Sequence, residues 1–422
     1  MFFDYLLEYN RYLNLLGIVF VLTCAFLFSL NRRHINIRLI ATALALQAFL
    51  GFVMLKTAGG AGIVGMLAKG VCKIYAYAGD GAQFVFGSLA SVQAPWGFVF
   101  AFRVLPVIIF FSALIALLFH WRIIQFVTYP VTWLLYKLFG TSAAETLCAV
   151  ANSFLSGTES PLLVRSYLAR FTQSELFTVM VSGMGTTSAT LFVVYASLGA
   201  PLQFVLASTI MAIPATILIS KMLIPETETP VTKSGLHEVS TDNSRNVLDA
   251  ISEGTSTGVQ LVLAIGAMLI VFIALISLGN GILGGFTRVL QLGANLLGLA
   301  VKVPLFTLQA IFGILFAPIA WLLGLTGPEI INAGELLGIK LVLNELVAFG
   351  SLASAHLSER AVALMTFALC GFANFSFIGI EMAGIGALEP SKRSLIGKLG
   401  LRAVLGGTLA NLLSAFIAGL ML

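Results

Sequence analysis

Charge is what this chain has least of. Only 10% of its 422 residues are Asp, Glu, Lys or Arg, against about 25% in ordinary soluble domains, which excludes a water-soluble globular enzyme. The 23 basic and 18 acidic residues leave a net charge of +5 and are spread thinly. No basic run with interleaved aromatics is present, so no nucleic-acid partner is expected. Histidine and cysteine are equally sparse, at four each. Cys24, Cys72, Cys148 and Cys370 lie singly in apolar stretches, without zinc-type CxxC spacing or the density of a disulfide framework, and read as core thiols. His34, His120, His237 and His356 fall near predicted loops or span ends, so no proton relay is assigned to them. No HExxH, no phosphate-binding P-loop and no nucleophile elbow occurs, so the chain does not read as an enzyme and no organic cofactor is expected.

Apolar residues are what the chain has instead. They make up 59% of it, and the mean hydropathy is +1.01. At roughly 20 residues per membrane-spanning helix, apolar runs predict crossings near 13–31, 39–55, 100–120, 174–198, 203–222, 258–278, 361–386 and 395–421. Residues 57–98 are rich in glycine and, with the string Gly79 to Gly87, read as an amphipathic interfacial helix and a loop. Residues 224–257 lack apolar periodicity and read as a polar loop ending in a short helix. Asp4 and Glu8 precede the first apolar stretch where a signal peptide would be basic, so that stretch is expected to remain in the mature protein. Arg32, Arg33 and Arg38 place the first inter-span loop in the cytoplasm, with both termini outside.

Two stretches then match in kind and spacing. Glu159 and Glu345 each interrupt an apolar segment, 186 residues apart, and the pairs Ser174-Glu175 and Ser358-Glu359 each open a span, 184 residues apart. Those spans are themselves interrupted, at Gly183 to Ser188 and at Cys370 to Ser376. Each unit reads as a re-entrant hairpin followed by a broken helix and another span. The two units enter from opposite sides, the inverted-repeat plan of secondary transporters. The expected fold is therefore an all-α polytopic membrane protein with about eight transmembrane helices, two re-entrant hairpins and two broken helices in inverted repeats. A passive pore needs less than this. Glu175 and Glu359 read as N-terminal helix charges beside a serine cap.

A carboxylate in an apolar segment costs at least about 2.5 kcal/mol and must face a cavity, a partner or a ligand. Glu159 and Glu345 sit at hairpin tips, where non-helical backbone is tolerated only if buried in protein or lining a cavity. Asn152, Thr186, Thr187 and the freed carbonyls near Leu155 are hard oxygen donors suited to a small cation, with sodium the natural choice. They also read as turn formers or as hydroxyls bonding back to the preceding turn. Asn374, between Phe372 and Phe375, pairs an amide with aromatic faces and suits a polar, ring-bearing ligand.

At these residues the chain resembles the concentrative nucleoside transporters. The matching strings run Gly157 to Leu168, Thr172 to Met180, Asn344-Glu345-Leu346-Val347-Ala348-Phe349, Cys370 to Ile380 and Gly384 to Pro390. The resemblance covers about residues 75–420. It implies a homotrimer in the lipid bilayer whose elevator-like transport domain moves against a scaffold; a bacterial inner membrane is expected from the compactness of the chain and its lack of long soluble extensions. Residues 1–98 and 224–329 would form the scaffold and trimer contact. Residues 99–223 and 330–422 would form the two repeats and most of the transport domain. The resemblance further implies that Glu159, Glu345 and Asn374 bind ribose hydroxyls, that Thr158 and Phe372 contact the base, and that Leu191 packs against it. Sodium, as coupling ion, would sit among Asn152, Leu155, Thr186 and Thr187.

Two positions depart from the family pattern. Gly157 stands where a glutamine is common and Phe377 where a serine is common, removing two polar contacts and shifting discrimination towards shape and stacking. The expected function is a sodium-coupled nucleoside importer. The alternatives are a proton-coupled carrier, a carrier of a modified nucleoside or nucleoside-like solute, and a sensor that binds without transport.

Overall fold

The structure is a computed structural model that describes residues 2–91, 99–235, 245–297 and 306–422. Among the described residues it is helical with no strand, an all-α polytopic membrane protein. Seven helices among the described residues are long and apolar enough to cross a bilayer. The remaining expected crossing, 361–386, is divided into helices of 11 and 14 residues.

The first two spans, α1 (Arg11–Leu27) and α2 (Ile37–Lys56), are joined through the turn that carries Arg32 and Arg33. Asn36 starts α2 by accepting from Leu39 N at 3.2 Å, which satisfies one of the unpaired amides of the first turn. The glycine-rich segment is one 29-residue helix, α3 (Ala58–Phe86). The string from Gly79 forms the last turns of the expected helix, which ends at Gly87, whose φ of +57° favours glycine. Residues 92–98 of that expectation lie outside the described residues.

Next come α4 (Leu105–His120) and α5 (Ile123–Phe139). Hairpin 1 consists of α6 (Ala143–Ala151), a non-helical tip and a return through Ser160–Val164 and Arg165–Leu168. The first broken helix is α7 (Gln173–Gly185) and α8 (Phe192–Ser197), followed by the continuous α9 (Leu202–Leu223). The second unit repeats this order. Helix α11 (Leu308–Leu322) precedes hairpin 2, formed by α12 (Pro328–Val342) and α13 (Glu345–Leu352). Then come the halves α14 (Glu359–Leu369) and α15 (Phe375–Leu388), and the 29-residue α16 (Arg393–Met421). The repeat thus begins one helix earlier in each unit than the hairpins that betrayed it.

Between the units runs α10 (Val247–Leu296), 50 residues long. The expected crossing at 258–278 is only its middle, and the polar segment 224–257 gives way to it at Val247. At about 1.5 Å per residue the helix is about 75 Å long, well beyond the hydrocarbon thickness. Residues 236–244 of the polar segment lie outside the described residues. Helix α10 packs along α4 through small residues: a Cβ on Gly258 would come 2.7 Å from the Cα of Ile109, the close backbone approach typical of membrane helix pairs.

Helix α16 sits at the centre, against α1, α2, α7, α9, α14 and α15, and is buried along its second half. Two capping boxes start the elements that matter for the site. Ser142 and Glu145 open α6, and Thr172 and Glu175 open α7. The cap of α7 is therefore Thr172, not Ser174. Ser174 instead donates to Ile224 O at 2.7 Å and accepts from Lys221 Nζ at 2.9 Å. Lys221 is not a solvated loop residue. Its ammonium lies 2.7 Å from Glu145 Oε2, with both side chains almost fully enclosed.

Candidate functional site

The hairpin tips and helix breaks meet around a cavity of about 300 Å³. Hairpin 1 supplies Ser156, Thr158 and Glu159, the first break Ser188, Thr190 and Leu191, and hairpin 2 Asn344 and Glu345. The second break supplies Phe372, Asn374, Ser376 and Phe377. The facing wall comes from α10, with Thr257, Gln260, Ile265 and Met268, and from Ser112 of α4.

Local sequence explains how each side chain is presented. Asn344 is the N-cap of α13 and accepts from Val347 N at 2.9 Å, leaving Glu345 as the first helical residue. Asn374 is the N-cap of α15, accepting from Phe377 N at 3.0 Å and Ser376 Oγ at 2.6 Å. Its Nδ2 then donates to Glu345 Oε2 at 3.3 Å. Two helix N-termini, the positive ends of their dipoles, thus begin beside one buried carboxylate. Tyr195 of α8 donates to the other oxygen, Oε1, at 3.3 Å. Glu159 is half-buried, and its Oε2 accepts from Ser156 N at 2.8 Å.

Phe372 and Phe377 stack in parallel, with centroids 5.0 Å apart and planes 7° from coplanar. The aromatic partner at this break is therefore Phe377 and not Phe375, which is 47% exposed. Gly157 stands behind the lining, where a Cβ would come 2.9 Å from the Cα of Gly183 on α7. Its missing side chain is what lets the hairpin tip lie on that helix. Of the residues expected to contact a solute, Thr158, Glu159, Leu191, Glu345, Phe372, Asn374 and Phe377 share the cavity, and Gly157 does not line it.

The four residues expected to hold a cation are also neighbours. Asn152 donates Nδ2 to Ser182 Oγ at 2.9 Å, and Thr186 donates to Ser182 O at 2.7 Å. Thr187 lies 2.9 Å from Tyr195 Oη. Leu155 N donates to Ala151 O, and Phe154 O accepts from Ala189 N across to the first break. Asn152 is fully buried, yet its Oδ1 has no hydrogen-bond partner. A buried acceptor left open costs about 1–3 kcal/mol and is the group a hard cation would satisfy. Among the described residues no cluster of His, Cys, Asp and Glu suits a transition metal.

Several residues escaped the sequence reading. Thr257 and Gln260 had a signal, being polar side chains in or beside an expected crossing. Tyr195 had none, because its contact with Glu345 spans 150 positions. Lys340, fully enclosed in hairpin 2, donates to Ala368 O at 2.8 Å and Asn411 Oδ1 at 2.7 Å. Asn411 in turn donates to Gly185 O at 2.6 Å and Cys370 O at 2.9 Å, the carbonyls that close the first half of each broken helix. Glu381 of α15 is fully buried with both carboxylate oxygens unpartnered.

Paired hairpins, broken helices and a polar cavity at their meeting point define a secondary transporter of the discontinuous-helix kind. Three family models cover most of the chain: the Na+ dependent nucleoside transporter N-terminus over residues 16–89, a nucleoside recognition "gate" over 101–202, and the Na+ dependent nucleoside transporter C-terminus over 204–419. The chain is 43% identical to an uncharacterized transporter of Haemophilus influenzae, over 96% of this chain and 97% of that protein. It is 38% identical to the nucleoside permease NupC of Helicobacter pylori, over 98% of each. Its fold matches the structure of CNTnw in an inward-facing substrate-bound state with a TM-score of 0.88 at 38% identity, covering 97% of this chain and 98% of that one. The chain belongs to the concentrative nucleoside transporter family, an integral membrane family of carriers and not of enzymes.

Proposed function

We propose that this protein is a sodium-coupled importer of nucleosides working by an elevator-type movement. The observation that carries the reading is that acids from the two repeats, Glu159 and Glu345, open onto one cavity together with Asn374. A carboxylate accepts two hydroxyl hydrogen bonds at once, which fits the vicinal hydroxyls of a ribose. Glu159, Glu345 and Asn374 would hold the sugar. The Phe372 and Phe377 rings, with Leu191 and Thr158, would take the base. Gly157 acts indirectly, by seating the tip. The description of the matching family as Na+ dependent and the open Oδ1 of Asn152 support sodium among Asn152, Leu155, Thr186 and Thr187.

A second cavity of about 210 Å³ shares Ser112, Glu159, Thr190 and Thr257 with the first and reaches Glu253. It supports a route past hairpin 1, the cytoplasmic side in the expected topology. The cavity is walled by the two repeats on one side and by α10 on the other, which supports a division into a transport domain and a scaffold. The proposal includes a homotrimer in the bacterial inner membrane.

The test is uptake of labelled uridine, cytidine, adenosine and guanosine into proteoliposomes under a sodium gradient, a proton gradient or neither. Sodium-driven accumulation that is lost in Glu345→Gln and Glu159→Gln is the expected result. Accumulation driven by protons alone would overturn the coupling ion, and intact uptake by both variants would overturn the sugar site.

A further inference from the structure

We propose that Tyr195 is the positioning residue that couples ion binding to solute binding. It does so through a buried hydrogen-bond relay from Thr187 in the first repeat to Glu345 in the second. The inference rests on the sodium and nucleoside positions proposed above.

The relay is short and enclosed. Thr187 Oγ1 lies 2.9 Å from Tyr195 Oη, Tyr195 Oη donates to Glu345 Oε1 at 3.3 Å, and Asn374 Nδ2 donates to Oε2 at 3.3 Å. Thr187, Tyr195, Glu345 and Asn374 are each at most 3% exposed. Tyr195 is fixed by stacking on Phe349 of hairpin 2, with centroids 4.5 Å apart, so its hydroxyl has one place to be.

The order of the protons follows from the chemistry of the groups. An ionised carboxylate only accepts, and a phenol has one hydrogen to give. Tyr195 therefore spends its hydrogen on Glu345 and takes one from Thr187. Thr187 is left with its oxygen lone pairs free, the arrangement a cation needs. A cation drawn to that oxygen polarises the threonine O–H and makes it a better donor. Tyr195 in turn becomes a better donor to Glu345, since hydrogen bonds in chains strengthen one another at low dielectric. The carboxylate of hairpin 2 is then held more firmly in one orientation for the solute when the ion is present between hairpin 1 and the first break. By reciprocity, the bound solute tightens the ion to the same degree.

The experiment measures uridine affinity for the purified transporter in detergent, at zero and at saturating sodium, with choline as replacement. In the parent protein, sodium is expected to tighten uridine binding by about tenfold or more, within the usual range of coupling between sites. Tyr195→Phe keeps the ring and its stacking but loses the hydroxyl. It should reduce that factor to about threefold or less, with the larger loss of affinity at saturating sodium. Thr187→Ala should lose the coupling even at sodium concentrations raised until ion occupancy is restored, and Thr187→Ser should keep it, a contrast that carries the test if Tyr195→Phe does not fold.

A coupling factor that survives Tyr195→Phe overturns the relay. Equal weakening with and without sodium overturns it too, because that marks a plain packing or solute contact. Parent protein that binds no nucleoside, or binds it without regard to sodium, would instead remove the proposed function beneath it.

Discussion

Phe377 stands in the space that a side chain on Gly157 would need: a Cβ there would lie 3.2 Å from the tip of its ring. The two positions expected to depart from the family pattern therefore face each other and are not independent losses of polar groups. The glycine lets the hairpin tip close on Gly183, and the ring then covers the tip from the cavity side.

Gly157→Ala is expected to destabilise the protein by about 1–3 kcal/mol, the usual cost of overpacking, read as a lower melting temperature in detergent. Combining Gly157→Gln with Phe377→Ser should relieve only part of the combined cost. The ring is removed, but the Gly183 backbone remains 2.9 Å from the new Cβ. A double variant as stable as the parent would show that the tip moves freely over α7.

Asn152→Ala removes the buried oxygen that lacks a partner. Sodium activation of uptake should shift to concentrations about tenfold higher or more, given the worth of a hydrogen bond or ligand to a charged group. The maximal rate at saturating sodium should hold up better than the affinity. Unchanged sodium dependence would place the ion elsewhere.

The Lys221–Glu145 pair joins α9 to hairpin 1 with both groups enclosed. Lys221→Met leaves a buried carboxylate unpaired and should cost about 3–5 kcal/mol, whereas Lys221→Met with Glu145→Gln should recover much of that. Thermal unfolding of the two variants side by side checks this. Equal stability of single and double variants would mean the pair is solvated.

Glu381 has no partner for either oxygen. Glu381→Met is expected to leave uptake intact and to raise stability by about 1 kcal/mol, since it replaces an unpartnered polar group in the dry interior with an apolar side chain of similar length. A fall in both would show that the carboxylate gains a partner elsewhere in the transport cycle.

The hairpins, the breaks and the two cavity acids were legible because polar residues inside apolar runs are costly and therefore informative. Glu159, Glu345 and Asn374 each stood out on that ground. The length of α10 was not legible, because its polar beginning at Val247 and its apolar middle look like two different kinds of segment. The cap of α7 lies two residues before the serine that the sequence points to, because Thr172 and Ser174 are both good caps and only backbone geometry separates them. The contacts of Tyr195 and Lys340 were invisible because they join positions 150 and 71 apart, which no local pattern reports.

Asn411 touches the terminal carbonyl of one helix half in each repeat and holds the ammonium of Lys340 as well. A single amide on α16 is thus a fastening common to both halves of the internal symmetry. Neither break can lengthen or swing without straining the other, so the two repeats are tied together in the interior at this one side chain.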